Sequence, residues 1–187
     1  ERMKKIPIYL IAVPIGSYLS DMPIASLQQC QKTKIIFVES MGRLIQKLQG
    51  KGYLTAAHRL IVMDENSLEI AKGLLKEGKS FAILADTGNP CFVDPGHEIV
   101  RHILDQYLQQ VTLVPLGMSS ALDAGLSMAG LDIQKFHFCG HFPENHLNVT
   151  DVGGHLPLVF YVAGKGVRDW FEWVNESFQW RIVTLYR

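Results

Sequence analysis

The sequence lacks a net charge, because its 18 Lys and Arg residues are balanced by 18 Asp and Glu residues. Such a balance removes the whole-molecule electrostatic attraction on which many nucleic-acid-binding proteins rely, so only a local basic patch could serve. Arg43, Lys47 and Lys51 lie at helical spacing and could form one. A charged stripe of this kind is more often a solvated helix face, and that is the interpretation favoured by the sequence.

Cysteine is scarce, and long apolar runs are missing. Cys30, Cys91 and Cys139 are not paired by any motif, which predicts reduced thiols and a cytoplasmic location. No apolar run reaches the ~18 residues that a membrane-spanning helix needs, so we expect no membrane partner. The first residues show no cleavage site, so we expect no secretory signal. Hydrophobic residues make up 48% of the chain, which is enough for a substantial core.

Strand-type and helix-type patterns alternate along most of the chain. The strand patterns cover residues 7–13, 34–38, 59–63, 80–85 and 111–114, and the helical patterns cover residues 24–31, 44–50, 67–77, 96–109 and 119–129. This alternation predicts an α/β fold with a mostly parallel sheet covered by helices. The character changes after Gly130, so we predict an N-terminal α/β lobe at residues 1–130. A smaller α/β lobe follows at residues 131–187, with a last strand at 181–185, and we expect it to be incomplete.

Three loops rich in glycine, proline and small polar residues follow three of the predicted strands. They cover residues 13–16, 85–96 and 115–120. Because the carboxyl ends of parallel strands open into a crevice where ligands bind, the three loops predict one shared cleft. Ser119 or Ser120 is suited to cap the helix that follows, and the free N–H groups of its first turn attract an anion.

Five sequence elements carry a resemblance to a known family. They are a strand with a Pro-x-Gly turn (residues 9–16), Glu39, an Asp-x-Gly-x-Pro…Asp-Pro-Gly loop (86–96), a Pro-x-Gly-x-Ser turn (115–119) and a Phe-x-Phe-x-Gly-x-x-Pro segment (136–143). Over residues 8–161 the chain resembles the tetrapyrrole methylase superfamily of S-adenosylmethionine-dependent methyltransferases. Within it, the chain is most similar to the branch that methylates the ribose 2′-hydroxyl of a cytidine in small-subunit ribosomal RNA.

The resemblance implies S-adenosylmethionine as the cofactor, bound in a cleft between the two lobes, and a homodimer. Acceptor groups near Asp86 suit the cofactor's amino and hydroxyl groups, hydroxyl and N–H donors suit its carboxylate, and an apolar slot suits adenine. Together, chemistry and family position indicate these cofactor-binding residues: Pro14, Gly16, Asp86, Thr87, Gly88, Asn89, Ser119, Ser120, Phe138 and Ala163.

Glu39 is the candidate catalytic residue. A sulfonium methyl group is already activated, so the transfer chiefly requires a well-positioned acceptor. A hydroxyl acceptor must also lose its proton, which calls for a nearby base. Glu39 follows a strand at the cleft edge and matches the retained family glutamate, although a capping or salt-bridged glutamate is a common alternative for such a residue.

The residues expected to contact the substrate depart from the family pattern more than those expected to contact the cofactor. Ser40, Met41 and Gly42 replace the Asp-Thr-Arg that follows the glutamate in the ribosomal branch. Residues 143–156 contain no Lys or Arg, where the family carries a basic segment, and residues 162–168 replace the family's Glu-Ser-Pro-His-Arg. Ribosomal RNA or the small ribosomal subunit is the expected partner, since an assembled subunit offers shape and backbone contacts to a weakly basic enzyme.

Two other function classes stay open. The neutral charge mildly favours a methyltransferase that acts on a tetrapyrrole or another small molecule, and the altered residues favour a non-catalytic homologue that binds the cofactor. A metal site is disfavoured. His137, Cys139 and His141 would share one face of a strand and could offer three ligands to zinc, but a fourth ligand is not evident and a sulfonium transfer needs no Lewis acid.

Overall fold

The computed structural model describes residues 5–16, 18–142 and 156–177. The chain forms two compact units, which meet in sequence between Asp132 and Ile133. The first unit contains a five-stranded parallel sheet in the spatial order β3-β2-β4-β1-β5. Its strands are β1 (Ile6–Ile11), β2 (Ile35–Val38), β3 (Arg59–Val62), β4 (Phe81–Leu84) and β5 (Val111–Leu116).

Helices connect these strands, because neighbouring parallel strands need a crossover connection. They are α1 (Ile24–Lys32), α2 (Arg43–Gly50), α3 (Ser67–Lys76), α4 (His97–Gln106) and α5 (Ala121–Met128). The predicted α/β class with a mostly parallel sheet is therefore confirmed. Among the described residues, no helix combines the length and the apolar character needed to cross a membrane.

Burial explains why these short apolar runs form strands. All four residues of β4 are fully buried at the centre of the sheet, as is typical of a parallel strand covered on both faces. Phe37 and Phe81 pack edge to face with ring centroids 5.1 Å apart. From the helical layer, α2 contributes Leu44, Ile45 and Leu48 to a core cluster that includes Ile36 and Leu84 of the sheet, and this leaves its polar residues on the outer face.

The fifth strand is longer than predicted. The sequence pattern placed Pro115 in a turn, but β5 continues through Pro115 to Leu116, and Pro115 pairs in register with Leu10 of β1. Proline cannot donate to a strand ladder, yet it is tolerated on an edge strand. β5 is such a strand, so the turn begins at Gly117 instead.

The second unit contains a two-stranded parallel sheet and one α-helix within its described residues. These elements are β6 (His137–Phe142), β7 (Leu158–Val162) and α6 (Val167–Ser177). Phe142, Trp170 and Val174 form a small buried core, against which Phe160 and Trp173 pack. The segment at 143–155 and the predicted strand at 181–185 lie outside the described residues.

A β-bulge in β6 overturns the expected alternation of its histidines and cysteine. The register with β7 shifts between Phe138 and His141, and Gly140 has a φ of 71°. The extra residue leaves Cys139 buried but His141 exposed, so His137, Cys139 and His141 do not share one face. No group of three His, Cys, Asp or Glu side chains in the described ranges could hold a metal ion.

Candidate active site

Backbone pairing joins the loop after β1 to the loop after β4. The Val13 N–H donates to the Gly88 carbonyl at 2.9 Å, and the Gly88 N–H donates back to Val13 at 2.7 Å. The Thr87 hydroxyl reaches the Pro14 carbonyl at 3.5 Å. Gly88 has a φ of 77°, a conformation that glycine adopts at little cost. The structure therefore brings together Pro14, Thr87 and Gly88, which the sequence placed in one cleft.

The loop after β5 lies against the same strand end. The Ala12 N–H donates to the Leu116 carbonyl at 2.9 Å. Gly117 follows with a φ of 74°, and a Cβ added there would lie 3.0 Å from the Ala12 carbonyl oxygen. This close approach explains the glycine of the Pro-x-Gly-x-Ser turn. It brings a third loop, and with it Ser119 and Ser120, to the edge where β1 and β4 end.

The loop after β4 follows an unusual backbone path. Cys91 and Val93 have φ values of 63° and 65°, a left-handed region that is costly for residues other than glycine and most costly for the β-branched Val93. Gly96 then enters α4 with a φ of 109°, where an added Cβ would lie 3.0 Å from the Cys91 sulfur. Burial of Cys91, which also raises the pKa of its thiol, holds this path in place. The path directs Asp94 back towards the end of β2.

Glu39 stands at the end of β2, which is the neighbour of β4 in the sheet. Its side chain is half-buried, and its Oε1 atom is fully shielded from solvent without a hydrogen-bond partner. Burial raises its pKa from the ordinary value of 4.5 to about 7, with a further contribution from the negative charge of Asp94. The backbone N–H of Asp86 partly opposes the shift by donating to the carboxylate. Glu39 can therefore take up a proton near neutral pH.

Asp86 is fixed by a residue whose role the sequence did not reveal. The Ser40 hydroxyl donates to the Asp86 carboxylate at 2.5 Å, and the Gly42 N–H donates to the same hydroxyl oxygen at 3.2 Å. Ser40 occupies the position of an aspartate in the ribosomal branch, so the sequence indicated only that a carboxylate is missing there. The position of this serine, directly after a glutamate at a strand end, could have indicated its role, because a hydroxyl there can reach the loop that follows the neighbouring strand.

Ser120 caps α5, which is one of the two predicted possibilities, Ser119 or Ser120. Its hydroxyl accepts from the Asp123 N–H at 3.2 Å, while the Ser119 hydroxyl donates to the Asp123 carboxylate at 2.9 Å. Asp123 therefore already supplies a negative charge to the first turn of this helix, where the helix dipole favours it. Any further anion at this turn would depend on backbone N–H groups rather than on the two hydroxyls.

The chain is similar in sequence to several known methyltransferases. No family model matches the chain. The chain is 31% identical to ribosomal RNA small subunit methyltransferase I of Neisseria meningitidis over 139 residues, which are 73% of this chain and 46% of that protein. It is 31% identical to the Escherichia coli O157:H7 protein of the same name over 176 residues, 88% of this chain and 58% of that protein. The Pseudomonas aeruginosa counterpart is 32% identical over 139 residues, 73% of this chain and 47% of that protein.

The chain is a relative of these ribosomal RNA methyltransferases. This confirms the resemblance that the motifs indicated, because these three relatives are all named ribosomal RNA small subunit methyltransferase I. The chain spans about half the length of the curated methyltransferases that it matches.

Two of the residues predicted from this methyltransferase family belong to the second unit. Phe138 lies in β6 with 48% of its side chain exposed, and its ring packs edge to face on Tyr161 at a centroid distance of 5.1 Å. Ala163 directly follows β7, is exposed, and accepts a hydrogen bond from the Gly166 N–H at 2.8 Å. Their cofactor role stays a prediction, as does that of all eight predicted cofactor-binding residues in the first unit.

Proposed function

We propose that the protein transfers a methyl group from S-adenosylmethionine to a ribose 2′-hydroxyl of small-subunit ribosomal RNA. The observation that carries the proposal is the environment of Glu39. In a chain related to ribosomal RNA methyltransferases, a half-buried glutamate with a pKa of about 7 adjoins the loops that resemble a cofactor site. A hydroxyl acceptor needs a base of this kind, whereas an ordinary surface glutamate is too weak to serve efficiently at neutral pH.

The residues at the strand ends fit the cofactor. Asp86, fixed by Ser40, would accept from hydroxyl or amino groups, and the carbonyls of Thr87 and Asn89 add further acceptors. An added Cβ at Gly88 would meet open space, so a ligand can approach the backbone there. Backbone N–H groups at the start of α5 would receive the carboxylate. When bound, S-adenosylmethionine supplies an electrophilic methyl group.

Glu39 would act on the acceptor rather than on the cofactor. Its shielded Oε1 atom has no partner in the described residues and would accept the proton of the ribose hydroxyl as that oxygen becomes the nucleophile. Asp94 and Asp86 keep the basicity of Glu39 high through their negative charge. Burial of Glu39 contributes most of this effect, so the site combines a carboxylate that is more basic than usual with limited access of water.

The proposal has consequences for partners and location. The acceptor strand belongs to ribosomal RNA, presented either free or in the small ribosomal subunit. The protein would then work in the cytoplasm, and the family resemblance favours a homodimer.

Two measurements test the proposal. Calorimetry with S-adenosylmethionine should show micromolar binding, which corresponds to about −8 kcal/mol. Small subunits from a strain without its own methylase of this type should then accept tritiated methyl groups from the protein and cofactor. Label in nuclease-resistant dinucleotides would identify the ribose 2′-oxygen, and Glu39→Gln should slow the transfer ~10²-fold or more.

Other results would contradict the proposal in different ways. Cofactor binding without label in RNA would reject the acceptor and favour transfer to a small molecule. Absence of cofactor binding would reject methyl transfer altogether. Label in RNA that Glu39→Gln leaves unchanged would remove Glu39 from the reaction while retaining the activity.

A further inference from the structure

The net charge of zero conceals an uneven distribution along the chain. Residues 22–63 contain six Lys or Arg residues and one acidic residue, Glu39, between Asp21 and Asp64. The remainder of the chain consequently holds 12 basic and 17 acidic residues. A local field of positive sign can attract an anionic partner even where the whole molecule is neutral.

Three of these basic residues share the outer face of α2. Arg43 begins the helix, Lys47 follows one turn later, and Lys51 caps the carboxyl end, all with exposed side chains. The opposite face of the helix is buried in the core, so its orientation is fixed. At a rise of about 1.5 Å per residue, the three backbone positions are spaced by roughly 6 Å along the helix. The result is a rigid row of cations.

An aromatic ring completes the surface. Tyr18 lies 61% exposed beyond the turn after β1, and the Lys47 ammonium stands over its ring at 5.5 Å from the centroid. Its ring packs on Gly16, where an added Cβ would lie 2.9 Å from the ring. Tyr18, Leu19, Lys47, Gly50 and Lys51 line an open groove of about 370 Å³.

We propose that the groove between Tyr18 and α2, with the basic row that borders it, binds single-stranded RNA. The part of the Tyr18 ring that Lys47 and Gly16 leave exposed offers a stacking platform to a base, and adjacent ammonium groups bind the phosphates that flank it. An acidic polypeptide would use the cations but not the ring. α2 begins four residues after Glu39, so the basic row starts on the element that directly follows the candidate base. This inference rests on the proposed function for its choice of RNA as the anion.

The test compares matched double variants by fluorescence anisotropy with a short, labelled single-stranded RNA over a range of salt concentrations. K47Q/K51Q removes two charges from the groove, and K76Q/K79Q removes two exposed charges on and after α3. Loss of two phosphate contacts should lower the slope of log K against log salt by about 1.4 and weaken binding at low salt at least tenfold. The control pair should leave the slope unchanged.

The ring is tested separately. Tyr18→Leu should weaken RNA binding about tenfold with no change in slope, whereas Tyr18→Phe should retain the affinity. Equal slopes for the two lysine pairs, or equal affinity of the Leu and Phe variants, would overturn the proposal.

The outcomes separate this surface from the proposed activity. If the wild-type protein methylates RNA and K47Q/K51Q does so at the same rate, the surface is rejected and the activity is kept. RNA binding that depends on the groove, without methyl transfer, would keep the surface and reject the activity. Calorimetry with S-adenosylmethionine should give equal affinities for both lysine pairs, because none of these four lysines is among the predicted cofactor-binding residues.

Discussion

Replacing Glu39 by glutamine should make the protein more stable at neutral and alkaline pH. Burial raises the pKa of Glu39 from 4.5 to about 7, so the folded state holds this proton more tightly than the unfolded state. Between these two values the unfolded chain has lost its proton while the folded protein retains it, so the free energy of unfolding falls as pH rises. Above about pH 7 the loss is complete and constant.

The size of the effect follows from the same shift. A complete shift of this size corresponds to roughly 3 kcal/mol. Since Glu39 is only half-buried, solvent screening reduces the expected difference to about 1 to 2 kcal/mol at pH 8. Glutamine keeps the shape and removes the charge, so Glu39→Gln should gain this amount over the wild type at pH 8. The difference should shrink to a small constant near pH 4, where the wild-type carboxyl is protonated in both states.

Urea unfolding at a series of pH values measures this difference directly. Glu65→Gln is the matched control, since Glu65 is an exposed glutamate in the loop after β3. Its stability relative to the wild type should show no comparable pH dependence between pH 4 and pH 8. A Glu39→Gln variant that is destabilised at pH 8, or whose difference from the wild type does not vary with pH, would refute the assigned environment of this carboxylate.

Three further predictions concern the strand-end loops. Gly117→Ala should destabilise the protein by about 2 to 3 kcal/mol, because Gly117 has a positive φ and the added Cβ would lie only 3.0 Å from the Ala12 carbonyl oxygen. Gly88→Ala should cost only about 1 kcal/mol, because Gly88 has a positive φ but open space around the added Cβ. Thermal unfolding of both variants checks this order, which equal losses would contradict. Asp86→Asn should lower the pKa of Glu39 by removing a like charge, so the pH-dependent loss of stability should move to lower pH; an unmoved profile would exclude that coupling. Ser120→Ala should cost about 0.5 to 2 kcal/mol through loss of the α5 cap, and an unchanged melting temperature would argue against the cap.

The sequence was sufficient for the fold class because the apolar runs are short, separated by helical patterns and bounded by glycine or proline. It also identified the loops that meet at the strand ends, since parallel topology alone brings them to one edge. Glu39 and Asp86 could be singled out in this way without coordinates. Their electrostatic coupling could not, because it depends on the distance between loops that are far apart in sequence.

The features that the sequence did not reveal depend on backbone conformation. Nothing in the residue types of Cys91 and Val93 predicts a left-handed conformation. Cys91 is buried whereas Val93 is exposed, so burial can impose this conformation at Cys91 alone. The bulge in β6 changed which residues share a face, although Gly140 within a strand pattern was a usable signal. Similarly, Pro115 was interpreted as a turn because its tolerance at a sheet edge depends on strand order, which only the tertiary structure defines.

The position of Pro115 also bears on how copies of the protein can associate. An edge strand with an unbroken row of backbone donors and acceptors can recruit another chain by extending the sheet, which is a common route to aggregation. Pro115 lacks the N–H group that such an extension would use, and it lies near the end of the edge strand β5. The same residue that opens a family motif therefore also removes one backbone donor from this edge, which makes the edge a poorer template for sheet extension. An ordered dimer would more readily use side-chain surfaces than continuation of the sheet through β5.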